Sequence, residues 1–125
     1  MNRAMKFLCL IYAEEKQMYA RPSAELEAIA GECAVYDDAL ARSGQFVACE
    51  RLQPTRTAAT VRFRDGKASV TDGPFAETKE QLAGFYLIDA RDFDEAVALA
   101  ERIPPARLGC VEVRPVWSYD GKAAR

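Results

Sequence analysis

Apolar positions along this chain follow two rhythms, and the switches between them mark out the elements. The run Met5-Lys6-Phe7-Leu8-Cys9-Leu10-Ile11-Tyr12 is apolar at nearly every position, which predicts a strand with two buried faces. Over residues 23–43 the period becomes helical, with Leu26, Ile29, Ala30, Cys33, Tyr36 or Asp37, and Leu40 on one stripe. Ser23 suits the cap of that helix, Glu25 and Glu27 its positive first turn, and Gly44 its end. Residues 45–51 read as a second strand, followed by a loop around Pro54. Residues 57–64 and 67–72 then form a hairpin across Asp65-Gly66.

A two-residue turn also fixes the register of that hairpin. Arg64 faces Lys67, Arg62 faces Ser69, and Thr60 faces Thr71 on one side. On the other side Phe63 meets Ala68, Val61 meets Val70, and Ala59 meets Asp72. Residues 84–88 are a further strand with two apolar faces. Asp92 and Glu95 start a second helix like a capping box. It buries Phe93, Ala96, Val97, Ala100 and Ile103 and stops at Pro104-Pro105. Residues 111–116 are the last strand, and the chain beyond Trp117 is expected to be loose.

The order strand, helix, three strands, strand, helix, strand predicts an α+β, ferredoxin-like sheet with both helices on one side. Two helices cover one face, yet the first strand and the 84–88 strand are apolar on both. An uncovered face of that kind exceeds the few hundred Å² of apolar patch that a monomer usually carries. A second copy related by a two-fold axis covers it most simply, so a homodimer is expected.

With 125 residues the chain has room for a single domain, 1–125, and half of it is apolar. A net charge of −2 argues against a nucleic-acid partner or an anionic membrane surface. The apolar run from Phe7 to Ala13 is stopped by Glu14-Glu15, too short for a membrane span, and no signal-peptide pattern appears. A cytoplasmic protein without membrane attachment is the expectation.

Composition narrows the chemistry further. No histidine is present, which excludes Ser-His-Asp and Cys-His triads and His-ligated zinc. Gly-rich phosphate loops are absent too, so no cofactor is expected. Cys9, Cys33, Cys49 and Cys110 show no C-x-x-C spacing, and Cys9 and Cys33 read as small core residues. Asp72, Glu77 and Glu80 are oxygen donors, but their spacing matches no dense cation loop and no metal site is expected. Arg62 and Arg64 share one hairpin face, where charge keeps an edge soluble.

One motif remains. Asp72-Gly73-Pro74-Phe75 is followed by Ala76-Glu77-Thr78-Lys79-Glu80. Register puts Asp72 on the apolar hairpin face opposite the small Ala59, where a carboxylate suggests the floor of a ligand pocket. Equally, Asp72 can accept backbone N–H groups in an Asx-type turn before proline. Gly73-Pro74 directs the chain sharply, and Phe75 supplies an apolar wall. General acid–base work falls to Asp72, Glu77, Lys79 and Glu80, with Tyr12 or Tyr86 from nearby strands. Thr78 and Gln81 are placed to cap the turn around them.

These residues resemble the YCII-related domain family, in particular its branch with the DGPF signature. The likeness runs from Lys6 to Pro115. It rests on Leu52-Gln53-Pro54, on Asp72 to Glu80, on Gln81-Leu82-Ala83-Gly84-Phe85-Tyr86-Leu87-Ile88, and on Val111-Glu112-Val113-Arg114-Pro115. The resemblance implies a dimeric α+β barrel of ferredoxin-like subunits, with Asp72 lining a pocket. With the reading of the turn and its neighbouring strands, the ligand-binding candidates are Tyr12, Asp72, Gly73, Pro74, Phe75, Glu77, Lys79 and Tyr86, with Asp72 the catalytic one. Relatives that look like enzymes use a His–Asp pair; Asp72 matches the acid, and its histidine partner is missing. The branch is also often encoded beside alternative sigma factors, which implies a functional link to one. The expectation is a homodimeric, small-molecule-binding, regulatory domain. The alternative is a lyase-, isomerase- or hydrolase-like enzyme using Asp72 with a non-histidine partner.

Overall fold

A computed structural model describes residues 5–118. Its elements in chain order are β1 (Met5–Ala13), α1 (Glu15–Tyr19), α2 (Ser23–Arg42), β2 (Phe46–Arg51), β3 (Ala59–Arg64), β4 (Lys67–Asp72), β5 (Gln81–Ala90), α3 (Phe93–Ala100) and β6 (Gly109–Pro115). Short 3₁₀ turns at Thr55–Thr57 and Pro104–Leu108 complete the path. The molecule is α+β, with antiparallel sheets. The expected loose tail beyond Trp117 lies, apart from Ser118, outside the described residues.

Four strands form the main sheet in the order β2-β5-β1-β6. β5 and β6 both run antiparallel to β1, and β2 runs antiparallel to β5. It follows that β1 and β2 are parallel, joined by α2 across β5. Likewise β5 and β6 are parallel, joined by α3 across β1. Two βαβ units are thus interleaved, each placing a strand at the centre of the sheet and a strand at its edge. The β3–β4 hairpin is inserted between β2 and β5 as a separate two-stranded sheet.

Strand alternation sorts side chains between the two faces. Phe7, Cys9, Ile11 and Ala13 of β1 and Tyr86, Ile88 and Ala90 of β5 are buried on the face that meets the helices. Tyr36 and Leu40 of α2, Ala96 and Ala100 of α3, and Ile103 close over them. The Tyr36 and Tyr86 rings meet edge to face, with centroids 5.6 Å apart. Tyr36 Oη also donates to the Leu99 carbonyl at 2.6 Å, tying α2 to α3. A phenol placed this way buries its ring and keeps its polar tip bonded.

Leu8, Leu10 and Tyr12 of β1 with Leu82, Phe85 and Leu87 of β5 occupy the opposite face and are half-buried. Both long helices lie on the other side, so no helix covers this strip. Its rims are polar: Glu50 of β2 stands opposite Phe85, while Glu112 and Arg114 of β6 stand opposite Leu10 and Leu8.

Helix ends differ in how they are closed. α2 has Pro22 at its N-cap, with no side-chain hydrogen bond there; Ser23, expected as the cap, is the first helical residue. The first turn closes on the backbone instead, the Pro22 carbonyl accepting the Glu25 and Leu26 amides at 3.0 and 3.2 Å. At the other end Gly44 has φ +76°, and the Gly44 and Gln45 amides donate to the Ala41 and Leu40 carbonyls. That pair of bonds is a Schellman closure. α3 starts as expected: Asp92 accepts the Glu95 amide at 2.8 Å, and the Glu95 carboxylate accepts the Arg91 amide at 3.1 Å.

The hairpin has the expected register at all six pairs, from Ala59↔Asp72 to Arg64↔Lys67. Asp65 and Gly66 both have positive φ, as a type I′ turn needs. β3 begins two residues later than the sequence pattern suggests, because Thr55–Thr57 turns as a 3₁₀ helix. The ribbon is exposed throughout almost all its length, with Val61 53%, Phe63 75% and Val70 68% exposed.

Candidate functional site

The turn after the hairpin is built from backbone bonds. Gly73 has φ +106°, a conformation that side chains other than glycine's rarely adopt. Its amide donates to the Ala58 carbonyl at 2.8 Å. Thr60 Oγ1 donates to the Gly73 carbonyl at 2.8 Å, and Arg62 donates to the Phe75 carbonyl at 3.0 Å. The polar side of β3 therefore holds the turn in place, and Arg62 has a structural partner. Further along, Thr78 Oγ1 donates to the Glu80 carbonyl at 2.5 Å, and Gln81 Nε2 donates to the Thr78 carbonyl at 2.6 Å. These are the local closures expected of Thr78 and Gln81.

A cleft of about 520 Å³ lies beneath this turn, walled by Tyr12, Leu52, Pro54, Pro74, Phe75 and Leu82 among others. α1 helps to shape it. The Glu15 carboxylate accepts from the Thr55 amide and hydroxyl at 2.8 and 2.9 Å, while the Glu15 amide donates to Gln81 Oε1 at 2.9 Å. Through its carboxylate and its backbone amide, this one residue ties the 52–58 loop to the start of β5.

Of the residues expected at a site here, Tyr12, Pro74, Phe75 and Glu80 line the cleft, and Gly73 directs the chain over it. Asp72 is exposed and not part of its wall, and its carboxylate has no hydrogen bond or ion pair among the described residues. The alternative Asx-type role is likewise not seen, since the Gly73 amide goes to Ala58. Glu77 and Lys79 are exposed and outside the wall. Tyr86 is not near this turn: its alternation puts it on the buried, helix-facing side of the sheet.

There Tyr86 belongs to a second cleft, of about 260 Å³, between α2 and the sheet. Its walls are mostly apolar, including Ile11, Met18, Leu26 and Ile29, and they converge on Asp37, Cys33 and Cys49. The Tyr86 hydroxyl donates to Asp37 Oδ1 in a short hydrogen bond. The Cys49 thiol approaches Asp37 Oδ2 at 3.7 Å. Burial, then the bond to Asp37, pushes the Tyr86 phenol well above its usual range. Burial first, with the negative charge of Asp37 next, pushes the Cys49 thiol up to about 11 and raises Cys33 as well. Near neutral pH these groups remain protonated, so they act as donors and weakly reactive thiols. Asp37 is the acceptor they surround.

The sequence left Tyr36 and Asp37 as alternatives for one stripe position, and the structure uses both. Tyr36 enters the core, while Asp37 turns toward the sheet and meets Tyr86. An acid bordering an apolar stripe was the available signal, but its partner lies on a strand 49 positions away. Among the described residues, no group of three or more Cys, Asp or Glu side chains is arranged to hold a metal ion. No helix among them is long and apolar enough to cross a membrane.

A family model described as the YCII-related domain matches residues 5–120. A protein of Rhizobium meliloti (strain 1021), named only as uncharacterized, is 39% identical over 117 residues, covering 92% of this chain and 94% of that protein.

Proposed function

This chain belongs to the YCII-related domain family, and on that premise we propose that it acts as a homodimeric small-molecule-binding domain with its ligand beneath the Asp72-Gly73-Pro74-Phe75 turn. The observation that carries this reading is shared walls. Tyr12 and Leu82 line the cleft under the turn and also end the uncovered apolar strip of the sheet. A second copy seated on that strip turns an open cleft into an enclosed one, so dimer formation and ligand binding are linked. Apolar strip and polar rim have the composition of an interface core and its edge. The interleaved βαβ units form a ferredoxin-like subunit, and two such sheets placed face to face form a dimeric α+β barrel.

The apolar side of the β3–β4 ribbon supports the same reading. An isolated two-stranded hairpin is marginal in water. Val61, Phe63 and Val70 gain cover if the ribbon reaches across the partner, which the two-fold axis provides twice.

Native mass spectrometry of the purified chain, beside the Leu10→Glu variant, tests the proposal. The expected result is a dimer that retains a small molecule, and a folded monomeric variant that retains none. A wild-type monomer at micromolar concentration overturns the dimer. Ligand retention by a monomeric variant overturns the linkage between the cleft and the interface.

A further inference from the structure

The cleft between α2 and the sheet lies on the opposite side of the sheet from the uncovered strip, and it has chemistry of its own. We propose that it is a second ligand site, which takes a small, largely apolar molecule bearing a protonated amine, with Asp37 as the counter-ion.

Size comes first. At about 260 Å³ the cleft is below the roughly 300–1,000 Å³ of sites that take drug-sized ligands, so its occupant is a compact metabolite. The apolar walls favour a hydrocarbon or aromatic body. Polarity is concentrated at one end, where a carboxylate offers about four lone-pair positions. Tyr86 takes one on Oδ1, and the Cys49 thiol lies at the longer distance of 3.7 Å from Oδ2. Both neighbours are neutral donors. They orient Asp37 without cancelling its charge.

No cation pairs with Asp37 among the described residues: the ion pairs that form there join other acids to Arg21, Arg42, Arg91, Arg107 and Arg114. Of the other charged wall residues, Glu50 stands opposite Phe85 and so on the uncovered face, while Arg51, on the helix-facing side, forms no ion pair with Asp37 among the described residues. A half-buried carboxylate with donors on one side and an apolar cavity on the other is best completed by an ammonium group. An alcohol can replace the hydrogen bond but not the charge, and a carboxylate ligand meets repulsion.

Benzylamine, benzyl alcohol and benzoate share one ring and differ in the head group, so they probe this directly. Binding to the full chain is followed by isothermal titration at pH 7 in low salt, with amide chemical shifts to place each probe. Benzylamine is expected to bind at least tenfold more tightly than benzyl alcohol, with shifts at Ile29, Cys33, Asp37 and Tyr86, and benzoate is expected not to bind. Asp37→Asn should bring the amine down to the level of the alcohol. An amine no tighter than the alcohol, shifts confined to other surfaces, or an Asp37→Asn variant with unchanged affinity would each overturn the site. Should Asp37→Asn fail to fold, Ala30→Leu serves in its place: Ala30 is exposed on α2 at the cleft wall. That variant is expected to keep its melting temperature and lose the amine, and unchanged amine binding overturns the proposal. The turn cleft and the dimer play no part in these outcomes.

Discussion

Two residues show how far a single position can be read. Gly109 opens β6 opposite Ala13, and a Cβ placed there would lie 1.9 Å from the Tyr12 carbonyl oxygen. Backbone cannot yield to that contact without breaking the β1–β6 ladder. Gly109→Ala is therefore expected to lose about 3 kcal/mol in urea unfolding, at the upper end of ordinary overpacking. Asp72 is the opposite case: exposed and unpartnered, it contributes little to the folded chain. Asp72→Asn is expected to change stability by less than about 0.5 kcal/mol, and a larger loss would give the residue a structural role that this geometry lacks.

Buried thiols also set a pH response. Burial holds Cys9 up to about 11, against an ordinary value of 9.0. Burial, with Asp37 adding to it, holds Cys49 at about the same level. In the unfolded chain both thiols lose their protons near the ordinary value. Above it the unfolded state binds fewer protons than the native one, so stability falls as pH rises. The contribution is complete below pH 9 and is lost across the window from about 9 to about 11. The raised phenol of Tyr86 extends the same trend upward. Urea midpoints measured from pH 8 to 11 should decline, and Cys9→Ala should decline less steeply from its own lower starting point.

At the scale of elements, what was legible is what local chemistry decides. Asp65-Gly66 fixed six hairpin pairs because a two-residue turn admits one register. Asp92 and Glu95 located the start of α3 because their side chains bond to amides within the same turn. Asp92→Ala is expected to lose about 1 kcal/mol, the usual worth of an N-cap, with thermal unfolding as the measure. α1 was not legible, and the reason is physical. Five residues with Met18 alone buried carry no helical period, and the segment is held by Glu15 bonds to Thr55 and Gln81. The same holds for the second cleft. Nothing near Asp37 in sequence announces Tyr86 or Cys49, since their meeting depends on how α2 lies across β2 and β5.

For the whole molecule, the order of strands and helices predicted a sheet covered by helices on one side only, and that arrangement is present. The turn motif was visible at once, but its residues divide: Pro74 and Phe75 wall a cleft, while Asp72, Glu77 and Lys79 face solvent. Composition reveals residue types, whereas the direction of each side chain depends on bonds such as those from Thr60 and Arg62 to the turn.

The placement of β1 between β5 and β6 has a consequence for how the chain is made. β1 is synthesised before either neighbour, yet Met5 pairs with Ala90 and Phe7 with Pro115. On a ribosome adding about 5–20 residues each second, the earliest strand waits roughly ten seconds for its last partner. The hairpin, by contrast, closes within microseconds of leaving the exit tunnel. Until β5 emerges, β1 presents two apolar faces and two open edges to chaperones and to other nascent chains, and one edge stays open until β6 follows. A ribosome-bound chain arrested at Leu108 is expected to be cut by protease within β1, and extension through Pro115 with full release from the tunnel is expected to protect it. Synthesis rate thus becomes a variable of this fold: slowing translation between β1 and β6 should lower the yield of native protein without altering its final stability.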